Sequence, residues 1–415
     1  MQLLFYNIFL LLYRIAVRVT ALFGNKAKLW LRGRRGLLDK IAADLNGKNE
    51  QRIWVHCSSL GEFEQGRPLI EAIKAQYPNY KIVLTFFSPS GYEIRKNYAG
   101  ADYIYYLPMD GRSNARRFIS LVNPALAVFV KYEFWYYYLT QLKAAVVPAI
   151  LVSAAFRKSQ PFFKSSGSLF RKMLCCFDYL FVQDDQSKRL LATIGLNDNV
   201  IVAGDTRYDR VTTIAASVKS FPLIEKFKEN DKLLIAGSTW PVDEDLLKQA
   251  LSILPEDWKM VIAPHEVDDA HIQSLHDMFA GHSVLYSQMD KEPCGYRVLI
   301  IDNIGMLASL YSYGDIAYVG GGFNDGIHNV LEPAVFGLPV FFGPKYDKYV
   351  EAKALVSRMY AFPITDKAHF NNSLTALLDD DARRQTMQKA IQAYIAAQTG
   401  ATNRVLEVVG AQWLK

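Results

Sequence analysis

The residues best suited to chemistry in the first half of the chain directly follow predicted buried strands. Glu62 closes the segment Ser58-Ser59-Leu60-Gly61-Glu62, which comes after the predicted strand Arg52–Cys57. A carboxylate at the end of a strand can act as the general base that takes a proton from an attacking hydroxyl. Ser59 and Glu62 also form the S-x-x-E pattern of a helix capping box, so a structural role is equally well supported.

A second loop carries charge after a predicted strand. Lys131 and Glu133 lie in Lys131-Tyr132-Glu133-Phe134-Trp135, directly after the strand Leu126–Val130. They either point into a crevice at the end of the sheet or form a local ion pair on the loop, and the residue types leave both possibilities open.

Arg207 follows the predicted strand Val200–Val202. Its planar guanidinium suits bidentate binding of a phosphate or a carboxylate. A surface ion pair with Asp205 or Asp209 is the alternative.

The second half contains a glycine-rich turn, Gly320-Gly321-Gly322, after the predicted strand Ile316–Val319. Glycines let a backbone turn sharply and approach a ligand closely. A helix pattern begins near Val330, and Glu332 would lie in its first turn, where a carboxylate can bind the adjacent hydroxyls of a ribose. Such a turn before a helix N-terminus predicts an anion site, although an ordinary strand-to-helix turn has the same residues.

Further polar residues follow other predicted strands of the second half. Ser238 and Thr239 precede a helix that Thr239 is predicted to cap, and their hydroxyls suit a phosphate. Pro264 and His265 end the next strand. The segment 243–245 matches a D-x-D metal pattern, but it falls in the first turn of a helix, where acidic residues are favoured in any case. With no metal-ligand spacing among the histidines, we predict no metal site.

Strand and helix patterns alternate from residue 52 onward, which predicts βαβ units and parallel sheets. The predicted strands of the first half are Arg52–Cys57, Ile82–Phe86, Tyr103–Leu107, Leu126–Val130, Ala149–Val152, Tyr179–Val182 and Val200–Val202. After a polar stretch, 217–231, the predicted strands are Leu233–Ala236, Lys259–Ala263, Val298–Ile301, Ile316–Val319 and Val340–Phe342. We therefore predict an α/β fold of two doubly wound, Rossmann-like parallel-sheet domains that face a cleft.

Residues 1–24 are apolar and aromatic except for a polar face that includes Arg14 and Arg18. These charges interrupt the run of about 20 apolar residues that a membrane span needs. Residues 1–40 hold eight Lys or Arg and one Asp, a net charge of +7, whereas the whole chain carries +6. We therefore predict an amphipathic anchor at the membrane interface, with the basic residues against anionic lipids. A core helix is the alternative, and nucleic-acid binding is not expected.

The four cysteines, Cys57, Cys175, Cys176 and Cys294, form no C-x-x-C pair. This argues against a disulfide framework and favours a reducing compartment.

Together, these motifs resemble those of the Kdo transferases of lipid A assembly, the KdtA/WaaA family, over nearly the whole chain. The segments that carry the resemblance are SSLGE at 58–62, Glu133-Phe134-Trp135, Gly204-Asp205-Thr206-Arg207-Tyr208-Asp209, GST at 237–239, GIHNVLEP at 326–333 and GP at 343–344.

The resemblance implies a GT-B architecture and an inverting glycosyltransferase. It would move 3-deoxy-D-manno-octulosonic acid (Kdo) from CMP-Kdo to a lipid A precursor, lipid IVA, without a metal or a cofactor, at the cytoplasmic face of the inner membrane. Glu62 would be the proton acceptor, and the remaining catalytic candidates are Lys131, Glu133 and Arg207. The acceptor would lie near Ser58, Ser59 and Gly61. The candidates for binding CMP are Ser238, Thr239, Pro264, His265, Ile304, Gly305, Met306, Asn329, Val330, Leu331 and Glu332.

This chain also departs from the family pattern. Lys131 stands where the family reads E-T-E-L-W with a carboxylate, and Arg207 replaces a lysine, which keeps the charge. Pro264-His265-Glu266 lacks the arginine of the family's P-R-H, and Gly305-Met306-Leu307 lacks the carboxylate of its G-E-L.

The expected domains are an anchor at 1–24, an acceptor-binding domain at 25–216, a linker at 217–231, a CMP-Kdo-binding domain at 232–380 and C-terminal helices at 381–415 that pack back across the domains. Two other functions remain compatible with the motifs. A nucleotide-sugar epimerase of GT-B fold would need neither a lipid acceptor nor an anchor. In a non-catalytic membrane-associated binding protein, Glu62 would only cap its helix.

Overall fold

The computed structural model describes residues 1–290 and 295–414, and it divides into two compact units. The first unit contains Met1–Arg210 and Gln398–Lys415, and the second contains Val211–Ala397. Cys57, Cys175 and Cys176 are free thiols, and Cys294 lies outside the described residues.

The first unit is built on a seven-stranded sheet in the order β3-β2-β1-β4-β5-β6-β7, with every neighbouring pair parallel. Its strands are β1 (Arg52–Cys57), β2 (Lys81–Phe86), β3 (Tyr103–Tyr106), β4 (Pro124–Val130), β5 (Ala149–Ala154), β6 (Tyr179–Val182) and β7 (Val200–Val202). Apolar residues occupy both faces of the central strands because helices cover both sides, as is typical of parallel sheets. Trp54 packs into the core on one face of β1, and Ile53 and Val55 pack on the other.

Helices follow most strands of the first unit. They are α1 (Gln2–Thr20), α2 (Asn25–Arg32), α3 (Leu37–Leu45), α4 (Leu60–Gln76), α5 (Pro89–Arg95), α6 (Arg112–Val122), α7 (Tyr136–Ala144), α8 (Ser168–Leu174) and α9 (Asp185–Ala192). Helix α10 (Thr206–Ala216) runs past the boundary between the units.

The second unit also contains a seven-stranded parallel sheet, in the order β10-β11-β9-β8-β12-β13-β14. Its strands are β8 (Lys232–Thr239), β9 (Trp258–Pro264), β10 (Ser283–Leu285), β11 (Val298–Ile300), β12 (Ile316–Val319), β13 (Val340–Phe342) and β14 (Ala361–Pro363). The prediction of two doubly wound sheets is confirmed.

The helices of the second unit cover its sheet on both sides. They are α11 (Pro222–Lys228), α12 (Pro241–Ala250), α13 (Asp269–Met278), α14 (Leu307–Leu310), α15 (Leu331–Ala334), α16 (Val350–Val356), α17 (Lys367–Leu378) and α18 (Asp381–Ala397). The stretch 217–231 is more than a linker, because α11 buries Ile224 and Phe227 in the core of this unit.

The C-terminal helices are divided between the units. Helix α18 belongs to the second unit, whereas α19 (Ala401–Gln412) belongs to the first, where it packs on α4. The carboxylate of Asp209 holds the start of α19 by accepting hydrogen bonds from the backbone N–H groups of Gly400 and Thr402, each at 2.6 Å.

Helix α1 lies against the first unit along one face. Tyr6 donates a hydrogen bond to Asp110 (2.6 Å), Tyr137 donates one to Asn7 (2.8 Å), and Leu10 is buried. The opposite face exposes the apolar side chains of Leu4, Ile8, Leu11, Leu12, Ile15 and Val19. By length and composition the helix could cross a membrane, but it is not a core helix, because most of its apolar surface is uncovered.

Candidate functional site

Glu62, Lys131 and Glu133 follow strands of the first unit at the point where the strand order reverses, whereas Arg207 follows β7 at the edge of the same sheet. In the sheet, β1 lies between β2 and β4, so the loops after β1 and β4 are neighbours. Doubly wound sheets bind ligands at such a switch point. The loop after β1 carries Ser58–Glu62 and the loop after β4 carries Lys131–Trp135, so the fold brings two of the predicted segments together.

Glu62 is partly exposed in the first turn of α4, and its carboxylate accepts a hydrogen bond from the Ser59 hydroxyl. Ser59 is the N-cap residue of α4, yet its side chain makes no capping hydrogen bond to the backbone. The predicted capping box is therefore replaced by a contact between two side chains. Glu62 therefore lies at the N-terminal end of α4 with a neighbouring hydroxyl as its partner.

The other residues of this loop shape the surroundings of Glu62. Gly61 is exposed beside it. The carbonyl of Ser58 accepts a hydrogen bond from the backbone N–H of Ser88 (2.7 Å), which ties the loop to the start of α5. Ser58 therefore contributes its backbone to the structure of this edge.

Glu133 is buried and forms part of a hydrogen-bonded network. Its Oε2 lies 2.9 Å from Nε2 of His56 and accepts a hydrogen bond from Nε1 of Trp135 at 2.7 Å. The Nδ1 atom of His56 lies 2.9 Å from Oγ1 of Thr85. A carboxylate with this burial and these partners fixes the loop after β4 onto β1, and it has little freedom to approach a substrate.

Lys131 does not pair with Glu133, so the predicted ion pair within this loop is wrong. Its backbone is left-handed, with φ of 67°, and its ammonium lies 5.6 Å from the ring centroid of Tyr132. Within residues 1–290 and 295–414, no carboxylate lies within ion-pair distance of Lys131. The ammonium is therefore free to meet an anionic ligand.

Arg207 is paired with Asp205, the second of the two arrangements predicted for it. Its Nη2 and Nε donate hydrogen bonds to Asp205 Oδ2 at 2.6 and 3.0 Å, and Gln65 on α4 donates to Oδ1 at 3.2 Å. Burial alone would raise the pKa of the Asp205 carboxyl, but the charge of Arg207 and the hydrogen bonds hold that pKa below its usual value. The pair fixes the guanidinium, which remains partly exposed.

The candidate residues of the second unit also lie at a switch point, because β8 lies between β9 and β12. The glycine-rich turn after β12 is packed too tightly for side chains. Gly321 has φ of 91°, and a Cβ on Gly322 would lie 2.6 Å from the backbone nitrogen of Gly343. The turn therefore brings the loops after β12 and β13 into contact, as the glycines predict.

Asp243 supports this turn from α12. It accepts hydrogen bonds from the Tyr318 hydroxyl (2.6 Å) and from the backbone N–H groups of Gly321 and Trp240 (each 3.0 Å). Burial raises the pKa of its carboxyl. The D-x-D segment thus has a structural explanation and does not present Asp243 to a metal ion.

Three aromatic rings are stacked beside the turn. The ring of His265 stacks on those of Trp240 and His328, with centroid distances of 4.7 and 4.4 Å. Nε1 of Trp240 donates a hydrogen bond to Nε2 of His328 at 3.2 Å. Burial, and then the proximity of His265, lowers the pKa of His328 to about 4. His328 is therefore neutral near pH 7 and serves as a hydrogen-bond acceptor for Trp240.

Asn329 and Glu332 lie on the exposed side of the same loop. Asn329 Nδ2 donates a hydrogen bond to Glu332 Oε1 at 3.0 Å. The helix that follows, α15, has only four residues, so its dipole is much weaker than the predicted helix would provide. The polar side chains and the backbone of the turn therefore remain the groups able to bind a nucleotide here.

Several predicted CMP-binding residues have buried side chains. Thr239 ends β8, and its side chain donates a hydrogen bond to Glu244 at 3.0 Å. The N-cap of α12 is Trp240, so the prediction that Thr239 caps this helix is wrong. The other buried side chains belong to Pro264, Met306, Val330 and Leu331. These residues can meet a ligand only through their backbone, because their side chains belong to the core.

The remaining predicted residues of this unit stay accessible. Ser238 has a left-handed backbone with φ of 54° and is partly exposed. Ile304 is 89% exposed, and Gly305 has φ of 98°, so this turn lies on the surface after β11.

One group of side chains in the described part of the chain has donor atoms close enough to share a cation. Glu266, Asp268 and His271 place one atom each within 4.8 Å of one another. His271 already contacts Glu244 at 3.0 Å, and Asp268 caps α13, so two of the three have structural roles.

No role was predicted from the sequence for four residues that shape the two switch points: His56, Gln65, Trp240 and His328. His56 and Gln65 are polar residues in a buried strand and a buried helix face, and their partners are 77 and 140 positions away in the chain. Only the buried histidine within an apolar strand could have been recognised as unusual.

The sequence is related to known transferases. Residues 31–210 match the family described as 3-deoxy-D-manno-octulosonic-acid transferase (kdotransferase). The 3-deoxy-D-manno-octulosonic acid transferase of Aquifex aeolicus is 28% identical over 79% of this chain and 86% of its own length. The Haemophilus influenzae protein of the same name is 26% identical over 86% of each chain.

Solved structures share the fold. A UDP-GlcNAc 2-epimerase from Neisseria meningitidis has a TM-score of 0.61 at 14% identity and covers 87% of this chain and 100% of its own. MurG of Acinetobacter baumannii has a TM-score of 0.56 at 12% identity and covers 88% of this chain and 100% of its own. Identities this low establish the two-domain GT-B-type fold and nothing about substrates.

Proposed function

We propose, from its similarity to 3-deoxy-D-manno-octulosonic acid transferases, that this chain is a member of that family and transfers Kdo from CMP-Kdo to a lipid A precursor, lipid IVA. The protein is therefore a glycosyltransferase of GT-B-type fold. We propose a single displacement: the acceptor hydroxyl attacks the anomeric carbon of Kdo while CMP leaves from the opposite face, so the configuration is inverted.

The attacking hydroxyl loses its proton to Glu62 in this mechanism. The observation that carries the assignment is the position of Glu62 at the switch point of the first sheet, partly exposed, with its only side-chain hydrogen bond among the described residues coming from Ser59. Because the carboxylate bonds to no backbone N–H group of its own helix, its capping role is absent and it remains available as a base.

Fixed positive charge stabilises the anionic groups of the reaction. CMP leaves with a phosphate and Kdo carries a carboxylate. Arg207, in the first turn of α10 and held by Asp205, and Lys131, in the loop after β4, follow strands at the same edge of the first sheet. Preorganised cations of this kind lower the energy of developing negative charge and can replace a metal ion.

The second unit would hold the CMP group of the donor. Glu332 and Asn329 can bind the ribose hydroxyls, and Ser238 with the backbone of Gly320–Gly322 can approach the phosphate. The stacked ring of His265 is exposed and offers a planar surface near the same loops.

Helix α1 would bring the enzyme to the cytoplasmic face of the inner membrane, where an amphiphilic acceptor resides. Its exposed apolar face suits the acyl boundary of a bilayer, and the basic residues that follow suit anionic headgroups. The epimerase alternative shares the fold but would make no use of this helix.

Incubation of the purified protein with CMP-Kdo and lipid IVA, read by product mass and by the anomeric configuration of the product, tests this proposal. The Glu62→Gln variant should lose on the order of 10²–10⁴ in rate with little change in stability. Glu64→Gln is the matched control, because Glu64 lies two residues further in α4 and pairs with Arg95 at 2.9 Å. An active Glu62→Gln enzyme would exclude the base assignment, and inhibition by EDTA that magnesium reverses would exclude metal-free transfer.

A further inference from the structure

A strongly basic pocket of about 410 Å³ lies on the first unit beside the N-terminal helix. Its wall contains residues of α1, α2, α3 and α6 and of the loop before α6. The charged side chains that line it are Arg14, Arg18, Arg34, Arg117 and Asp39. Four arginines and one aspartate give this wall a net charge of +3.

Arg34 forms the fixed part of the pocket. Its Nε and Nη2 donate hydrogen bonds to the carbonyls of Leu107 (2.9 Å) and Phe87 (2.7 Å), and its guanidinium lies 3.8 Å from the ring centroid of Trp30. Burial lowers the pKa of Arg34 to about 9, so the side chain still carries its charge near pH 7. It contributes a positive potential but has few donors left for a ligand.

Arg14, Arg18 and Arg117 provide the donors. Arg14 and Arg18 are one helical turn apart on α1 and exposed, and no carboxylate in residues 1–290 or 295–414 lies within ion-pair distance of either. Arg117 pairs with Asp39 at 2.6 Å, but half of its side chain remains exposed. Arginines that line one pocket repel one another, and an anion bound among them would offset this repulsion.

The position of α1 sets the depth of the pocket relative to a bilayer. Arg14 and Arg18 lie at the edge between the face of α1 that packs on the protein and the face that exposes Leu11 and Ile15. If the exposed face enters the acyl region, the guanidinium groups at its edge reach the level of the headgroups.

We propose that this pocket binds the phosphate monoester of a membrane lipid. A phosphate monoester carries about −1.5 to −2 charges near pH 7 and presents three acceptor oxygens. Arginine guanidinium groups bind such oxygens in bidentate fashion, and a wall of net charge +3 can neutralise the whole group. The inference rests on the proposed location of α1 in the membrane interface, and it adds recognition of one chemical group to a general attraction to anionic lipid.

The test compares vesicles of phosphatidylcholine that contain either phosphatidic acid or phosphatidylserine, matched for surface charge. A general electrostatic attraction of the protein to the membrane depends on surface charge alone. It would therefore give equal affinity for the two kinds of vesicle. The pocket predicts that the wild-type protein binds the phosphatidic acid vesicles about tenfold more tightly, the gain expected from one additional charge-assisted hydrogen bond. Equal affinity for the two kinds of vesicle would overturn the proposal.

Variants locate the preference. The double variant Arg14→Gln/Arg18→Gln should lose it, whereas Lys28→Gln/Arg32→Gln, which removes the same charge from exposed residues of α2 outside the pocket, should weaken binding to both vesicles and keep the preference. Arg117→Gln, on α6, should also reduce the preference for phosphatidic acid vesicles. A preference that survives both pocket variants, or that the control abolishes, would contradict the proposal.

Two further outcomes separate this inference from its premise and from a soluble ligand. A wild-type protein that binds none of these vesicles would exclude the membrane location of α1, and the lipid site with it. Glycerol 3-phosphate should displace the protein from phosphatidic acid vesicles only at concentrations well above that of the lipid phosphate. Displacement at equal concentration would assign the pocket to a soluble phosphate ester and overturn the lipid assignment.

Discussion

Replacement of Glu133 separates a structural role of this carboxylate from a catalytic one. Its Oε2 accepts from Trp135 at 2.7 Å and contacts His56 at 2.9 Å, and 8% of the residue is exposed. The Glu133→Ala variant removes the carboxylate shared by His56 and Trp135 and leaves Trp135 Nε1 only the longer contact with His56 Nε2 at 3.2 Å. Removal of one member of a buried pair costs about 3–5 kcal/mol. Glu133→Gln keeps the shape and one acceptor oxygen, so it should cost about 1–2 kcal/mol.

Calorimetry measures the loss of stability in both Glu133 variants, and a turnover assay on the same samples measures their activity. In a unit of this size, each kcal/mol shifts Tm by roughly 2–4 °C, so Glu133→Ala should lower the Tm of the first unit by roughly 6–20 °C and Glu133→Gln by roughly 2–8 °C. Well below these Tm values, Glu133→Gln should retain turnover within about tenfold of the wild type, since a fixed loop is only slightly displaced. A Tm change below about 2 °C together with a loss of 10² or more in turnover would show that Glu133 acts on the substrate and refute the structural role.

Three more perturbations address the other parts of the molecule. Glu332→Ala should weaken CMP binding by about 10- to 150-fold, the effect of losing a charge-assisted hydrogen bond to a ribose; unchanged affinity by calorimetry would contradict it. Asp205 has a lowered pKa in the folded state, so its stabilising contribution is present above the unfolded pKa of about 3.9 and is lost as pH falls through the lower folded value. The Tm deficit of Asp205→Asn should therefore be largest near neutral pH and should shrink as pH falls below about 3.9, and a deficit that stays constant over this range would contradict this. Deletion of residues 1–24 should release the protein from vesicles and leave CMP binding intact, whereas loss of CMP binding would show that the segment is needed for folding.

Most of the fold could be predicted from the sequence because buried parallel strands are short apolar runs separated by helices. Arg52–Cys57, Tyr179–Val182, Val200–Val202, Ile316–Val319 and Val340–Phe342 are predicted with the bounds that the structure shows. The two missed strands, Ser283–Leu285 and Ala361–Pro363, have three residues each and lie at the edges of the second sheet. An edge strand of this length has too few residues for a pattern, and its pairing with a neighbour defines it.

The candidate site could be predicted in position but only partly in role. Charged and glycine-rich segments after strands identified both edges, since parallel strands align their carboxyl ends. The role of each side chain depended on which partner it meets in the folded protein. Thr239 donates a hydrogen bond to Glu244, Glu133 contacts His56, and Arg207 pairs with its neighbour Asp205.

The sequence by itself determined the two doubly wound sheets and the amphipathic character of residues 1–24, because both follow from the local periodicity of apolar residues. It also determined the resemblance to Kdo transferases, because short motifs carry that resemblance. The tertiary structure decided which charged groups are free and which are already bound. Glu62 and Glu133 are both carboxylates after buried strands, yet one is partly exposed with a hydroxyl as its partner and the other is buried between two rings. His56 lies 77 positions before Glu133 and meets it only because β1 and β4 are neighbours in the sheet, so no local pattern in the chain records the burial of this carboxylate.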